Sequence, residues 1–218
     1  MIMFFIPVIV PLVPIIVAIC VAAGFIVGGI FIVKGKLKRL KGHKLVILGM
    51  QGAGKTQLLR QLQNIEYNEY KPTVLKDNFN DFTIEVDGKK YKIKAGYDIP
   101  GTEDQVKNFY KQSIKENEVV IFIANGMEYA SNNKYEFQTN VRLNFINEVR
   151  EGKEIILIFS HRDIIDKSPE KEKLFAQIRK KIENQKDITE MTRTTDTVVL
   201  QMNLTDKKEV DNFTKKIF

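Results

Sequence analysis

The sequence predicts an α/β fold with a doubly wound, mostly parallel sheet of six strands, one antiparallel hairpin at the sheet edge, and one transmembrane helix before it. Three observations lead to this prediction. Short apolar runs alternate with segments of helical periodicity, an Asp-Gly dipeptide separates two strand-like runs, and no charged side chain precedes Lys34. The 218 residues therefore divide into a transmembrane anchor at 1–33, a basic juxtamembrane collar at 34–44 and a folded domain at 45–218.

Strands are predicted where short apolar runs are bounded by turn residues. The six runs lie at 43–48, 82–86, 91–95, 119–124, 154–159 and 197–200. Those at 119–124 and 154–159 are continuously apolar, which is typical of strands buried on both faces of a parallel sheet. Asp87-Gly88 joins the second and third strands, because both residue types tolerate the positive φ of a tight hairpin turn.

About five helices are predicted between and after these strands. One follows Gly49 and ends near Gln63, one follows Asp98 and carries Glu103, and the others lie at 135–150, 168–183 and 207–218. Ser168-Pro169-Glu170 provides an N-cap, a first-turn proline and a first-turn acid for the helix that begins there. Helices that alternate with buried strands favour the doubly wound arrangement.

The apolar N-terminal segment predicts the membrane anchor. Residues 2–33 are all apolar, Pro or Gly, and the run 15–33 after Pro14 can cross about 30 Å of hydrocarbon at about 1.5 Å per residue. A cleaved secretory signal is excluded because no basic residues precede the apolar run. The positive-inside rule predicts a single-pass protein with its N-terminus outside or lumenal and its folded domain cytoplasmic. The collar either contacts anionic lipid headgroups of the bilayer or only flanks the span.

The net charge of +7 comes almost entirely from the collar. The chain has 34 Lys and Arg against 27 Asp and Glu, and six of the basic residues lie between Lys34 and Lys44. The remainder is nearly neutral, so the folded domain is not expected to bind nucleic acid. A single cysteine excludes an intramolecular disulfide.

The strongest chemical signal is a phosphate-binding loop at 49–56. Its sequence Gly-Met-Gln-Gly-Ala-Gly-Lys-Thr fits G-x-x-x-x-G-K-[ST], with a predicted strand before it and a predicted helix after it. Glycines let backbone N–H groups surround an anion, and the helix N-terminus adds partial positive charge. The predicted nucleotide-binding residues are Gly49, Gln51, Gly52, Ala53, Gly54, Lys55 and Thr56.

Four further segments, together with this loop, resemble the motifs of Ras-like and Arf-like small GTPases of the P-loop superfamily. They are Tyr70-Lys71-Pro72-Thr73, Asp98-Ile99-Pro100-Gly101, Ser160-His161-Arg162-Asp163 and Met202-Asn203-Leu204. The resemblance covers 44–218, and the layout of a span before the domain is similar to the β subunit of the signal-recognition-particle receptor. It implies a P-loop GTPase fold with GTP or GDP and Mg²⁺ as cofactors.

The resemblance also implies a role for each position. Lys55 reaches the β- and γ-phosphates, Tyr70 closes over the nucleotide, and the N–H of Gly101 meets the γ-phosphate. At the base, Asp163 accepts the guanine N–H donors, His161 covers the ring in place of a lysine, and the Asn203 loop offers a backbone N–H to the guanine oxygen. The residues implied to hold Mg²⁺ are Thr56, Thr73 and Asp98.

Hydrolysis is expected to be slow. The resemblance implies Lys55, Thr73 and Thr102 as the catalytic positions, but Thr102 stands where the family has the glutamine that orients the attacking water. Gln51 also brings a large side chain near the γ-phosphate. At the base, Ser160 replaces the asparagine that ties this loop to the phosphate loop, which leaves guanine specificity open.

Three functions fit these observations. The first is a membrane-anchored, slow GTP/GDP switch that recruits a protein effector or receptor subunit at the cytoplasmic membrane face. The second is a membrane adaptor that stays loaded with GTP and does not hydrolyse it. The third is an anchored P-loop protein that uses ATP.

Overall fold

The computed structural model describes residues 25–27, 30–34, 44–65, 77–86, 88–98, 103–153, 155–195 and 197–218. Their strands are β1 (Phe25–Val27), β2 (Ile30–Lys34), β3 (Lys44–Gly49), β4 (Asp77–Phe79), β5 (Phe82–Val86), β6 (Lys89–Asp98), β7 (Val119–Asn125), β8 (Ile155–Ser160) and β9 (Val198–Gln201). Their helices are α1 (Lys55–Leu62), α2 (Glu103–Glu116), α3 (Gly126–Ser131), α4 (Asn133–Val149), α5 (Arg162–Lys167), α6 (Lys171–Asn184), α7 (Lys186–Thr194) and α8 (Lys207–Ile217).

The described strands form one sheet in the order β1-β2-β9-β8-β7-β3-β6-β4, and β5 pairs with β6. Neighbours from β9 through β8, β7 and β3 to β6 are parallel, whereas the pairs β1–β2, β2–β9, β4–β6 and β5–β6 are antiparallel. The predicted α/β fold with a mostly parallel sheet and an antiparallel hairpin is therefore confirmed. The predicted count of six strands is wrong, because β1, β2 and β4 are additional.

The predicted helix through Val33 is wrong where the structure describes it, because β1 and β2 are antiparallel strands there. Val27 pairs with Ile30, and β2 continues the sheet beside β9. Runs of Phe, Ile and Val suit a strand as well as a membrane helix, and the intervening dipeptide Gly28-Gly29 is favoured in two-residue hairpins. Among the residues that the structure describes, no helix is both long and apolar enough to span a membrane.

All five predicted helices are present, as α1, α2, α4, α6 and α8, but α6 begins later than expected. Lys171 is its first residue, and Ser168 Oγ accepts a hydrogen bond from Glu170 N–H in the turn before it. The short helices α3, α5 and α7 were not predicted. They have six, six and nine residues, so each offers too few turns for an apolar period to stand out.

The parallel strands bring their carboxyl ends to one edge of the sheet. Residues of β3, β7 and β8 are buried almost throughout, as their continuous apolar runs predict. Gly49 lies opposite Ile123, and Asn125 lies opposite Ser160. β3 has β6 on one side and β7 on the other, and the chain adds strands first on the β6 side and later on the β7 side. In such sheets ligands bind at the carboxyl end of the strand where this direction reverses, which here is β3.

Candidate nucleotide-binding site

The phosphate loop leaves β3 through a glycine that no other residue could replace without a shift. Gly49 has φ +140°, and a Cβ placed there would lie 2.0 Å from the carbonyl oxygen of Ile123 in β7. Met50 N–H donates to that same oxygen at 2.9 Å. Gly52 and Gly54 also have positive φ, at +69° and +91°. The backbone turns sharply three times within six residues, which only glycine allows at low cost.

This turning leaves backbone donors available around the loop. Ala53 N–H donates to Met50 O at 3.3 Å, but the N–H groups of Gln51, Gly52 and Gly54 donate to nothing in the part of the chain that the structure describes. No acidic residue occupies the first turn of α1, which follows directly. N–H groups at a helix N-terminus favour an anion, so the loop has the chemistry of a phosphate site.

Lys55 and Thr56 open α1 beside these donors. The Lys55 side chain is almost fully buried and folds back over the loop, where Nζ donates to Met50 O at 3.0 Å. A buried ammonium is costly unless it meets a partner. A bound phosphate would supply a stronger acceptor than a carbonyl. Thr56 is half-buried and lies one residue further into the helix.

Tyr110 of α2 supports the first turn of the loop from below. Its fully buried hydroxyl accepts a hydrogen bond from Gly49 N–H at 3.1 Å. Burial raises the pKa of the Tyr110 hydroxyl to about 12, so it keeps its proton and stays neutral. The helix that follows the Asp98 motif is thus joined directly to the start of the phosphate loop.

The predicted magnesium and switch residues are only partly described. Asp98 ends β6 in register with Ile47 of β3, two residues before Gly49. Tyr70, Thr73, Gly101 and Thr102 lie outside the described residues. Within the described ranges, no three or more His, Cys, Asp or Glu side chains gather into a cluster that could hold a metal ion. The hydroxyl of Thr56 and the carboxyl of Asp98 are the hard oxygen donors that suit Mg²⁺.

Ser160 ties the loop after β8 to the phosphate loop. Its buried hydroxyl lies 2.8 Å from Ala53 O, 3.2 Å from Ala124 O and 2.8 Å from His161 Nδ1. A hydroxyl has one proton, and we assign it to the contact with Ala53 O, because a carbonyl oxygen can only accept whereas the ring nitrogen of His161 can also donate. Serine therefore makes the connection that the resemblance assigned to asparagine, across 107 residues of sequence.

His161 adopts a left-handed conformation, with φ +61°, before α5 begins. Burial lowers the pKa of its imidazole below the ordinary 6.5, and the nearby carboxylates of Asp163 and Glu128 oppose that shift. The ring is therefore neutral at pH 7. Because the Ser160 hydroxyl donates its proton to Ala53 O, His161 Nδ1–H donates to Ser160 Oγ, and the ring nitrogen Nε2 is left as an acceptor.

Asp163 lies in the first turn of α5, half-buried, two residues after His161. Its carboxylate accepts no hydrogen bond from any residue that the structure describes. The preceding Arg162 points elsewhere, because its guanidinium pairs with Glu209 and Asp166. Asp163 can therefore offer two acceptor oxygens to a ligand beside the phosphate loop.

The loop after β9 is predicted to offer a backbone N–H to a ligand, and the structure describes which of its amides are engaged. Asn203 N–H donates to Glu209 Oε1 at 3.0 Å, so this donor is already engaged. Leu204 N–H makes no hydrogen bond in the described part of the chain. The Leu204 side chain packs over the phosphate loop, where a Cβ on Gly54 would lie 3.0 Å from its Cδ1. Leu204, with Asn203 beside it, is thus the residue of this loop that meets the phosphate loop.

Sequence reasoning missed Tyr110 and Glu209, although both contact predicted site residues. The sequence gives Tyr110 no signal beyond a place on the apolar face of α2. Glu209 stands three residues after the N-cap Asp206, which is the spacing of an ordinary capping box. The structure instead directs the Glu209 carboxylate outward from its own helix to Arg162 and Asn203.

Comparisons with known proteins agree with this geometry. A family model described as the ADP-ribosylation factor family matches residues 31–217. The chain is 32% identical over 85 residues to the ADP-ribosylation factor-like protein alp41 of Schizosaccharomyces pombe, which covers 39% of this chain and 42% of that protein. It is 27% identical over 175 residues to the signal recognition particle receptor subunit beta of Dictyostelium discoideum, which covers 80% of this chain and 56% of that protein. The chain thus spans about half the length of these curated relatives.

Proposed function

Because the chain belongs to the ADP-ribosylation factor family of GTP-binding small GTPases, we propose that it is a membrane-attached, slow GTP/GDP switch that recruits a protein partner at the cytoplasmic membrane face. The observation that carries the nucleotide part is the phosphate loop, with its three available amides and a buried lysine at the start of α1. Anion chemistry alone would fit any nucleoside triphosphate, so other groups of the chain must select the base.

Guanine is favoured by the groups after β8. Guanine carries two adjacent donors, N1–H and the 2-amino group, whereas adenine has an acceptor at N1. Asp163 offers two acceptor oxygens that no described residue occupies, and Ser160 holds the same loop against Ala53. A carboxylate fits the guanine edge and repels the adenine edge, which favours GTP over ATP.

The phosphate end would work with Mg²⁺, held by Thr56, Asp98 and Thr73. Mg²⁺ supplies charge neutralisation between the β- and γ-phosphates when it is bound. Lys55 already lies next to the loop and would exchange Met50 O for phosphate oxygens. Hydrolysis would be slow, because Thr102 stands where the family glutamine orients water.

Membrane attachment is proposed for residues 1–24, which carry no charged, amide or hydroxyl side chain. An apolar segment of this length is unfavourable in water and would enter a bilayer. The basic residues that follow β2 would then lie near the headgroups. The Dictyostelium relative is named as a receptor subunit, which supports a protein partner for this chain.

A permanently GTP-loaded adaptor is the second candidate. It is favoured by Thr102, which stands in place of the family glutamine, and by the large side chain of Gln51 in the phosphate loop. It differs from the switch only in turnover, so phosphate release from bound GTP separates the two. Release within minutes to hours would support the switch. Bound GTP that remains intact over days would support the adaptor.

The test of nucleotide choice uses the full chain in detergent, with a fluorescent GTP analogue competed by GTP, GDP, ATP and XTP. GTP and GDP should compete and ATP should not. Lys55→Ala should weaken binding of all triphosphates about 100-fold or more, because the phosphate charge loses its buried partner. The Asp163→Asn variant should bind GTP about 100-fold more weakly and XTP more tightly, since its side-chain amide can donate to the 2-oxo group of xanthine.

The outcomes contradict different parts of the proposal. Competition by ATP as strong as by GTP would replace the GTPase with an ATP-using P-loop protein. Unchanged affinity in Lys55→Ala would remove the phosphate-loop assignment itself. An Asp163→Asn variant that keeps its preference for GTP would move base recognition to other residues.

Attachment to membrane is tested by flotation of the full chain with vesicles of neutral and of anionic lipid. Co-flotation with neutral vesicles in 1 M salt is expected if residues 1–24 insert, because apolar insertion does not depend on charge. Flotation only with anionic vesicles at low salt would leave the collar as the sole membrane contact. No flotation in either case would remove membrane attachment from the proposal.

A further inference from the structure

Glu209 joins the two loops that flank the proposed guanine site. Its Oε2 accepts a hydrogen bond from Arg162 Nη2 at 2.9 Å, and its Oε1 accepts one from Asn203 N–H at 3.0 Å. Arg162 belongs to the loop and helix after β8, and Asn203 to the loop after β9. One carboxylate on the first turn of α8 therefore fixes the distance between them.

This arrangement is not explained by stability. The Glu209 side chain is 1% exposed, and burial of a carboxylate costs free energy that a single ion pair often fails to recover. An apolar side chain at the start of α8 would fill the space without that cost. Buried charge pairs that do not add stability can instead select one geometry among several, and the partners of Glu209 indicate which geometry is selected.

The helix that carries Asp163 needs such an external restraint. α5 has only six residues, and its N-cap His161 provides no side-chain cap to the first turn. Arg162 is the first residue of α5 and lies directly before Asp163. Its side chain is 19% exposed and reaches Asp166 at 3.4 Å and Glu209 at 2.9 Å, so the first turn of α5 is held toward α8.

We propose that Glu209 is a positioning residue for base recognition. It holds α5 and the loop after β9 so that the Asp163 carboxylate and the Leu204 N–H face the same edge of the guanine. The proposal rests on the proposed guanine-nucleotide function. It predicts a defect confined to the base, because the hydrogen bonds of the Glu209 carboxylate to described residues run to Arg162 and Asn203 and none runs to the phosphate loop. The phosphate end depends on Gly49 and Lys55, which hydrogen bonds to the Tyr110 hydroxyl and to Met50 O hold in place.

The charge on Glu209 is sensitive to pH near neutrality. Burial raises the pKa of its carboxyl to about 7, the Asn203 hydrogen bond and the Arg162 charge oppose that shift, and the carboxylates of Asp206 and Asp166 add to it. A protonated Glu209 can still accept from Asn203 N–H, but it loses the charge that holds Arg162. Base recognition should therefore weaken as the pH falls through 7.

The test compares the full chain with Glu209→Gln and with the control Asp211→Asn, an exposed carboxylate on the same helix that pairs loosely with Lys207. Affinities are measured for GTP, for ITP, which lacks only the 2-amino group, and for inorganic triphosphate with Mg²⁺. We expect Glu209→Gln to lower the affinity for GTP about tenfold and to bring the ratio of the GTP and ITP affinities toward one. The affinity for inorganic triphosphate should stay unchanged. The control should match the wild type throughout.

A second measurement keeps the proposal testable if Glu209→Gln folds poorly. In the wild type, the preference for GTP over ITP should fall several-fold as the pH is lowered from 7.5 to 6. The preference of the Asp211→Asn variant should fall by the same factor. A soluble Glu209→Gln chain should show a flat profile. If it shows the same fall as the wild type, a group other than Glu209 is titrating and the proposal is wrong.

The remaining outcomes separate this inference from the function on which it rests. A wild-type chain that does not prefer GTP to ATP would remove the proposed function, whatever Glu209 does. A wild type that prefers GTP, with a Glu209→Gln chain of unchanged preference, would overturn the inference alone. Equal losses for GTP, ITP and triphosphate would show that Glu209 only stabilises the fold.

Discussion

The phosphate loop and the two loops after β8 and β9 meet at one edge of the sheet, but they are held in different ways. The phosphate loop is shaped by its own backbone, through three glycines with positive φ and a close approach of Gly49 to β7. The other two loops are shaped by side chains that arrive from distant parts of the chain. Ser160 reaches Ala53, and Glu209 reaches both Arg162 and Asn203.

The difference bears on how each region tolerates substitution. Backbone conformations that require glycine are set by local sterics, and a clash of an added Cβ with backbone atoms is relieved only by moving the backbone, which costs free energy. A hydrogen bond between side chains can be made by several residue types if they reach the same atoms. Serine at position 160 illustrates this, because it makes the tie that the resemblance assigned to asparagine.

The largest effect is expected from Gly49→Ala, which breaks the backbone-defined region. The new Cβ would lie 2.0 Å from Ile123 O, so β3 and β7 must separate locally. We expect the free energy of unfolding to fall by about 3–5 kcal/mol, measured by denaturant titration. Gly88→Ala is the control, because Gly88 has φ +74° with nothing within 4 Å and should cost about 1 kcal/mol. Equal losses at the two positions would show that the contact with β7 is not the cause.

The same contrast explains which parts the sequence could predict. The strand–loop–helix form of the phosphate loop is predictable from its motif, since glycine spacing and flanking elements are local properties of the sequence. The buried strands β7 and β8 were also predictable, because their apolar runs are continuous. The roles of Tyr110 and Glu209 were not predictable, because they depend on contacts 61 and 47 residues away in sequence.

The N-terminal strands show a second limit of sequence reasoning. A run of Phe, Ile and Val has the composition of a membrane helix and of a buried strand, and periodicity cannot separate the two. The pairing partner decides between them, and in this structure β9 offers β2 an edge. Lys34 at the end of β2 also reaches α7, where its Nζ donates to Thr189 Oγ1 at 2.9 Å.

A smaller effect is expected from Ser160→Ala, which breaks the side-chain-defined region at its tie to the phosphate loop. The buried carbonyl of Ala53 would lose its donor, which costs about 2 kcal/mol in unfolding free energy. Unlike Glu209→Gln, this change should weaken GTP and inorganic triphosphate together, because Ala53 belongs to the phosphate loop. Ser160→Thr keeps the hydroxyl and serves as the control for nucleotide titrations. A Ser160→Ala chain with unchanged triphosphate affinity would mean that the two regions are held independently.

The smallest effect is a pH dependence of stability that belongs to the side-chain-defined region. The pKa of Glu209 is raised from an ordinary 4.5 to about 7 by burial, so near pH 6 the folded chain holds a proton that the unfolded chain has released. Stability from this group is thus fully present below pH 4.5 and is lost as the pH rises through 7.

Between pH 7 and pH 6 the free energy of unfolding should therefore rise by about 1 kcal/mol on account of Glu209. His161 acts in the opposite direction, because its pKa is lowered and its contribution is lost as the pH falls. The informative quantity is consequently the difference between wild type and Glu209→Gln across that interval, measured by thermal or denaturant unfolding. The difference should coincide with weaker discrimination of GTP from ITP, so the chain becomes more stable and less selective in the same pH range. If stability and selectivity move together instead, the charge on Glu209 supports the fold and not the alignment of the base loops.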